Sequence, residues 1–282
     1  MSIKTDIILN RRSLEVAAYV YSAEIGVSRT NIQKPSAVEI NDMIEQGIVS
    51  ADLTFLDKAF GYTCYEYYRQ VYDPDSFDRL LLKEAENRKK IVDLCCGGGA
   101  TIFSLRQNNP EMIFGFDSNE NQIELLKSLN RDRESKDIQC KIIAKVADAH
   151  HLPIESGCVD FVVCRAALQY LNVEQALKEI YRVLVPQGKV FLLVHGSGYI
   201  FDYLFSRKGI FKTKYVEYFI HKLFHSNSSD NKFYRSQAHF LTTHHLETKL
   251  TDAGFRNIKL YTFKKWLKLG VLPVYFAVTA ER

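Results

Sequence analysis

Apolar residues recur at helical spacing through the first third of the chain, then gather into short β-branched runs after residue 89. Residues 11–25 (RRSLEVAAYVYSAEI) carry the helical period. Residues 36–46 open with Ser36 just after Pro35, a start signal for a second helix. Residues 53–70 are helical in pattern and rich in Tyr. Residues 74–88 begin with a proline and two acidic residues, a good opening for a fourth helix. Four helices before any strand predict an N-terminal helical cap over residues 1–88.

The pattern then alternates. Strands are expected at Lys90–Leu94, Met112–Asp117, Cys140–Val146, Phe161–Arg165 and Lys189–Val194. Helices are expected at Ala100–Asn108, Asn119–Asn130 and Val173–Leu184, the last stopped by Pro186 and Gly188. A helix at Thr242–Ala253 and strands at Asn257–Phe263 and Pro273–Ala280 complete the chain. Such alternation predicts an α/β fold: a mostly parallel, Rossmann-like sheet of seven strands with helices on both faces. This second domain spans residues 89–282. It carries an insert at about 197–238, where two aromatic helical segments (199–207 and 213–225) are split by Gly209.

Composition changes this picture little, except at the C-terminal end. From Gly196 onward the chain has a net charge of +8, against −4 for the rest, and holds 18 of the 35 aromatic residues. Either a solvated basic face over an aromatic core or a pocket for an anionic or extended apolar substrate would produce this. The six cysteines sit in or beside apolar runs, with no CxxC pair. They read as buried thiols of a reducing compartment, and the expected location is cytoplasmic. No apolar stretch is long enough to span a bilayer, although transient contact with a membrane surface is compatible with the basic tail.

The first strand leads into Asp93-Leu94-Cys95-Cys96-Gly97-Gly98-Gly99 and then a helix. Glycines let the backbone turn sharply and approach a ligand, and the helix N-terminus beyond offers free N–H groups. Open α/β sheets bind nucleotides at this kind of turn. Asp117 closes the second strand, where a carboxylate can accept two hydrogen bonds from a ribose diol. The dinucleotide fingerprint GxGxxG fails in both registers, and the phosphate loop GxxxxGK[ST] is absent.

Val92–Gly99 (VDLCCGGG), Gly115–Asp117, Ala147-Asp148-Ala149 with Leu152-Pro153, Asp160-Phe161 and Ala176–Lys189 (ALKEIYRVLVPQGK) together resemble class I S-adenosylmethionine (SAM)-dependent methyltransferases. The chain is most similar to the branch that modifies small molecules and lipids. The resemblance runs over roughly residues 60–195, with a weaker continuation over 240–282. It implies SAM as cofactor, with Asp93, Cys95, Gly97 and Gly99 around its methionine part. Asp117 and Ser118 would lie at the ribose, Asp148 and Ala149 at the adenine, and the backbone near Arg165 at the methionine end. One departure stands out: the family usually has glycine where this chain has Cys95.

Methyl transfer from a sulfonium needs an aligned nucleophile and a dry site; a base is needed only when the acceptor must lose a proton. His195 ends the fifth strand and is the candidate base, its other reading being a structural histidine. Tyr170 is a second catalytic candidate. Gln169, Tyr199, Tyr203 and Tyr215, with Tyr68 on the cap, are candidate substrate contacts, and the insert is a candidate lid. The fourth strand lacks the Asn/Asp-Pro-Pro-aromatic motif of amino-methyltransferases, no Pro-Cys nucleophile exists, and no metal site is expected. His244-His245 reads as a helix start. The leading expectation is a methyltransferase for a small-molecule or lipid-like acceptor. An RNA or protein methyltransferase and a non-catalytic SAM-binding protein are the alternatives; the absence of an RNA-binding module or a single basic run argues against nucleic acid.

Overall fold

The structure is a computed structural model that describes residues 3–27, 31–134, 140–202, 241–268 and 271–282. The cap begins with α1 (Ile3–Leu9), which the sequence pattern does not announce, followed by α2 (Arg11–Glu24). Asn10 starts α2 by accepting the backbone N–H groups of Arg12 and Ser13. In α3 (Ala37–Glu45), Ser36 and Glu39 close a reciprocal capping box. Asp57 caps α4 (Lys58–Tyr72), five residues later than the Tyr-rich pattern suggests. In α5 (Ser76–Glu84), Asp75 and Asp78 form a second capping box, so the helix starts after Pro74 rather than at it.

The sheet strands are β1 (Lys90–Leu94), β2 (Met112–Asp117), β3 (Lys141–Val146), β4 (Val159–Arg165), β5 (Leu184–His195), β6 (Arg256–Tyr261) and β7 (Tyr275–Glu281). Their order is β3-β2-β1-β4-β5-β7-β6, with β7 antiparallel to both neighbours and the pairs from β3 to β5 parallel. This is the mostly parallel seven-stranded sheet expected. β5 differs in extent. The pattern predicts a helix to Leu184 and a strand from Lys189, but the chain becomes extended at Leu184, which already pairs with Val159. Pro186 ends the helical hydrogen bonding, and the chain joins the sheet beside β4 at once. A short ribbon of Leu267–Lys268 and Leu272–Pro273 precedes β7.

Side chains alternate across the sheet. One face carries Val92, Leu94, Val162, Cys164, Val190, Leu192, Val194, Phe276 and Val278. It packs on α8 (Val173–Val183) and α10 (Thr243–Asp252) through residues such as Leu177, Ile180, Leu246 and Leu250. The other face carries Ile91, Phe161, Val163, Phe191, Leu193 and Ala277, and packs on α6 (Ala100–Leu105), α7 (Glu120–Glu134) and the cap. The same parity puts Asp93, Arg165, His195 and Tyr275 on the cap face. β1, β4 and β5 end here; β7 begins here, with Tyr275 opposite His195. Of the expected insert, only its first turn, α9 (Gly198–Phe201), and the residues to 202 fall within the described residues.

Candidate active site

The glycine loop after β1 is held from three sides. Cys96 N–H donates to the Phe116 carbonyl at 3.0 Å, tying the loop to β2. The Asp117 carboxylate accepts the N–H of Gly97 and that of Asn119, both at 2.8 Å. Tyr67 of α4 donates its hydroxyl to the Gly98 carbonyl at 3.0 Å. A Cβ on Gly98 would lie 2.6 Å from the Thr63 methyl, so the cap helix rests directly on the loop. Gly97 and Gly99 take left-handed backbone angles of φ 51° and 91°, and Cys95 shares that region at φ 60°. Asp117, expected at a ribose, therefore braces the loop. Ser118 beside it is exposed.

Asp148 lies exposed beyond β3, with Ala149 buried next to it. One Asp148 oxygen accepts the His150 backbone N–H at 2.9 Å and meets His150 Nδ1 at 2.6 Å. His150 Nε2 accepts the Asn172 N–H at 3.1 Å, so the ring proton sits on Nδ1 and points at Asp148. The carboxylate is thus fixed in place, and its direct hydrogen bond to the His150 N–H lowers its pKa.

Asp93 is 2% exposed, and its Oδ2 has no hydrogen-bond partner among the described residues. Burial pushes its carboxyl up to about 8, against the pull of Arg165 and with some help from Asp117. Beside it runs a chain of buried charges. Arg165 donates to Asp78 Oδ1 at 2.7 Å, and Arg69 donates to Asp78 Oδ2 at 2.6 Å. Arg69 also grips Glu66 at 2.8 and 3.2 Å. Burial opposes ionisation of Glu66, but Arg69 prevails and holds it down at about 2. Burial likewise raises Asp78 above its ordinary range. Both Asp78 oxygens accept hydrogen bonds, one of them also from the Asp75 N–H at 2.8 Å, an arrangement suited to the carboxylate.

Beyond Arg165 the cleft becomes aromatic. His195 is 7% exposed and stacks on Tyr199 at 4.0 Å and 9°. Tyr275 meets His195 edge-on at 5.1 Å, and Tyr170 does so at 6.4 Å. Trp266 stands perpendicular to Tyr275 at 5.1 Å. Buried acceptor and donor atoms recur here: Gln169 Oε1 and Trp266 Nε1 lack partners among the described residues. Gln169 donates its own amide to the Ala166 carbonyl at 2.7 Å.

The structure thus brings Tyr170, His195 and Tyr199 together and sets the expected cofactor residues along one edge. It does not bring Tyr68 to the cleft. The Tyr68 hydroxyl bonds to Glu15 and the Asn31 carbonyl, both at 3.2 Å, inside the cap. Tyr62, Glu66 and Arg69 take the cleft-facing side of α4 instead; their i, i+4, i+7 spacing is the signal that marks one helix face. Tyr203 and Tyr215 lie outside the described residues. At Arg165 the backbone was the expected feature, but the side chain is the one embedded in the charge network. Asp78, Trp266 and Tyr275 were missed altogether, because nothing local distinguishes them. Among the described residues no group of His, Cys, Asp and Glu is placed to hold a metal, and no helix is long and apolar enough to cross a membrane.

A family profile described as a methyltransferase domain matches residues 92–192. The demethylmenaquinone methyltransferase of Lactobacillus johnsonii is 32% identical over 176 residues, covering 59% of this chain and 68% of that protein. The malonyl-[acyl-carrier protein] O-methyltransferase of Geobacter sulfurreducens is 26% identical, over 64% of this chain and 61% of that one. Several other relatives are matched over less than half their length. A SAM-dependent methyltransferase structure from Methanosarcina mazei superposes with a TM-score of 0.51 at 20% identity, covering 72% of this chain and 96% of that one, a likeness of fold. With the glycine loop, the acid-ended second strand and the sheet order on which they sit, these matches place the chain among the class I SAM-dependent methyltransferases.

Proposed function

We propose that this enzyme methylates a small-molecule or lipid-like acceptor with a flat, apolar body. The observation that carries this reading is the aromatic wall of Tyr170, His195, Tyr199, Tyr275 and Trp266 at the carboxyl edge of the sheet, adjoining Asp93 and Arg165. Aromatic rings bury large areas and suit a flat ligand. The names of two relatives are in keeping with a small-molecule or lipid-like acceptor: one is a demethylmenaquinone methyltransferase, the other a malonyl-[acyl-carrier protein] O-methyltransferase.

Bound SAM supplies a methyl group already activated by the sulfonium charge. Asp93 offers an unpartnered buried acceptor oxygen, which fits the ammonium of the methionine part, and the Gly97–Gly99 turn leaves room for close backbone approach. Asp117 faces the ribose position while bracing Gly97. The aromatic wall excludes water from the line of displacement and orients the acceptor. His195, at the floor of that wall, would take the proton if the acceptor atom is a hydroxyl oxygen.

The test is a product assay on the full chain with SAM and a panel of acceptors: reduced demethylmenaquinone, a malonyl thioester, bulk tRNA and a histone mixture. Methylation of a small acceptor, seen by mass spectrometry with matching release of S-adenosylhomocysteine, is expected. Methylation of tRNA or histone alone would refute the acceptor class.

A further inference from the structure

We propose that Arg165 anchors the carboxylate of the cofactor's amino-acid end, and that Asp78 of the helical cap is the positioning residue that holds it there. This rests on the reading that the methionine part of SAM lies beside Asp93.

The Arg165 side chain is 8% exposed. Its Nη2 is engaged by Asp78, but its Nη1 has no acceptor among the described residues. A buried guanidinium nitrogen without a partner is rare in folded proteins and calls for an occupant. Sheet geometry says where that occupant sits. Asp93 pairs with Val163 across β1 and β4, so Arg165 stands two residues further toward the carboxyl edge on the same face. Arg165 is within electrostatic reach of Asp93, yet the two do not bond. An unfilled donor of a cation and an unfilled acceptor of an acid, side by side, match one chemical group: an α-amino acid terminus, carboxylate to Arg165 and ammonium to Asp93. An apolar acceptor would satisfy neither, and an adenosine, although it offers hydrogen-bond donors and acceptors, would leave both charges without an opposite charge.

Asp78 explains why Arg165 does not swing across to Asp93. Its Oδ1 holds Arg165 at 2.7 Å, and its Oδ2 is fixed by Arg69 and by the Asp75 N–H. Arg69 is itself gripped by Glu66. The cap therefore sets the direction of the guanidinium, and with it the recognition of the cofactor end.

The probes are SAM and decarboxylated SAM, which keeps the sulfonium and the ammonium but lacks the carboxylate. Calorimetry on the wild type should show SAM binding at least about tenfold tighter, the low end of what a hydrogen bond to a charged group contributes. Arg165→Gln should weaken SAM and leave the decarboxylated ligand unchanged, bringing the two within about threefold. Asp78→Asn should shrink the preference in the same direction, and Arg165→Lys should keep part of it. A general structural defect would weaken both ligands together and leave the ratio alone. A wild type without preference, or an Arg165→Gln variant that retains it, would overturn the inference even if Asp78→Asn fails to fold. An unchanged preference in folded Asp78→Asn would overturn the role of Asp78. If the wild type binds neither ligand, the cofactor reading itself falls.

Discussion

Asp93→Asn tests the site through proton linkage. The Asp93 carboxyl is buried to 2% exposure and pushed up to about 8, from an unfolded value near 3.8. Between these two values the unfolded chain has lost the proton while the native protein keeps it. Rising pH therefore favours unfolding, by about 1.4 kcal/mol per pH unit from this group alone. Below about 4 both states are protonated, and above about 8 both are ionised, so the contribution is flat outside the window. Asn mimics the protonated acid and does not titrate. Urea denaturation at pH 5, 6, 7 and 8 should show the variant gaining on the wild type with each step. Total stability contains other groups, but the difference between the two proteins isolates Asp93. A difference independent of pH would refute the buried, proton-bearing Asp93.

The same proton should leave when SAM binds. An ammonium beside Asp93 favours the carboxylate, so the bound pKa lies below the free one. Affinity should rise with pH up to about 8, by at most tenfold per unit. Calorimetry in buffers of different ionisation enthalpy would count the proton released at pH 7. Asp93→Asn should bind weakly and release none; equal release by both proteins would assign the proton elsewhere.

Three further outcomes are expected. Cys95→Gly removes a side chain from a left-handed backbone position (φ 60°), a strain of about 1–2 kcal/mol. It also adds unfolded-state entropy, so urea denaturation should show a net change within about 1 kcal/mol, with SAM affinity retained. Gly98→Ala drives a methyl into Thr63 at 2.6 Å and should cost about 1–3 kcal/mol in stability, with Thr63→Ser, which deletes the clashing methyl, restoring part of it. Asp117→Ala frees Gly97 and Asn119 and should weaken SAM binding by about 1.5–3 kcal/mol by calorimetry while the fold persists in circular dichroism.

The cofactor edge was legible in sequence because its signals are local. β1 and β2 match their expected bounds, Lys90–Leu94 and Met112–Asp117, since each is a short apolar run bounded by turn residues. The acceptor side was half legible. His195 could be placed at a strand end, but the rings around it come from Tyr170, Tyr199, Trp266 and Tyr275, spread over more than a hundred residues. The charge chain was not legible at all: Asp78 and Arg165 are 87 residues apart and meet only through tertiary packing. Tyr68 shows the limit of reading a helix without its rotation. It neighbours Arg69 in sequence, but successive residues point about 100° apart, so one faces α2 and the other the cleft.

Charge balance connects the cap to the chemistry. Glu66, Arg69, Asp78 and Arg165 alternate in sign along the buried layer, and Asp75, which also pairs with Arg69 at 3.3 Å, is a third carboxylate in it. A protonated Asp93 adds no further negative charge to it, so the ionised groups stay within one charge of balance, which is how so many of them can be buried together. SAM brings a carboxylate, an ammonium and a sulfonium, a net charge of +1. Admitting that charge to a dry cleft is costly unless the protein supplies an opposite one. Asp93 can supply it by giving up its proton, because its ionised form is disfavoured only while no cation is near. After methyl transfer the sulfonium becomes a neutral thioether, and the charge that made ionised Asp93 favourable is reduced. The product complex is then less well balanced than the SAM complex, so S-adenosylhomocysteine should bind with a smaller proton release than SAM. Equal release by the two ligands would mean that Asp93 responds to the ammonium alone.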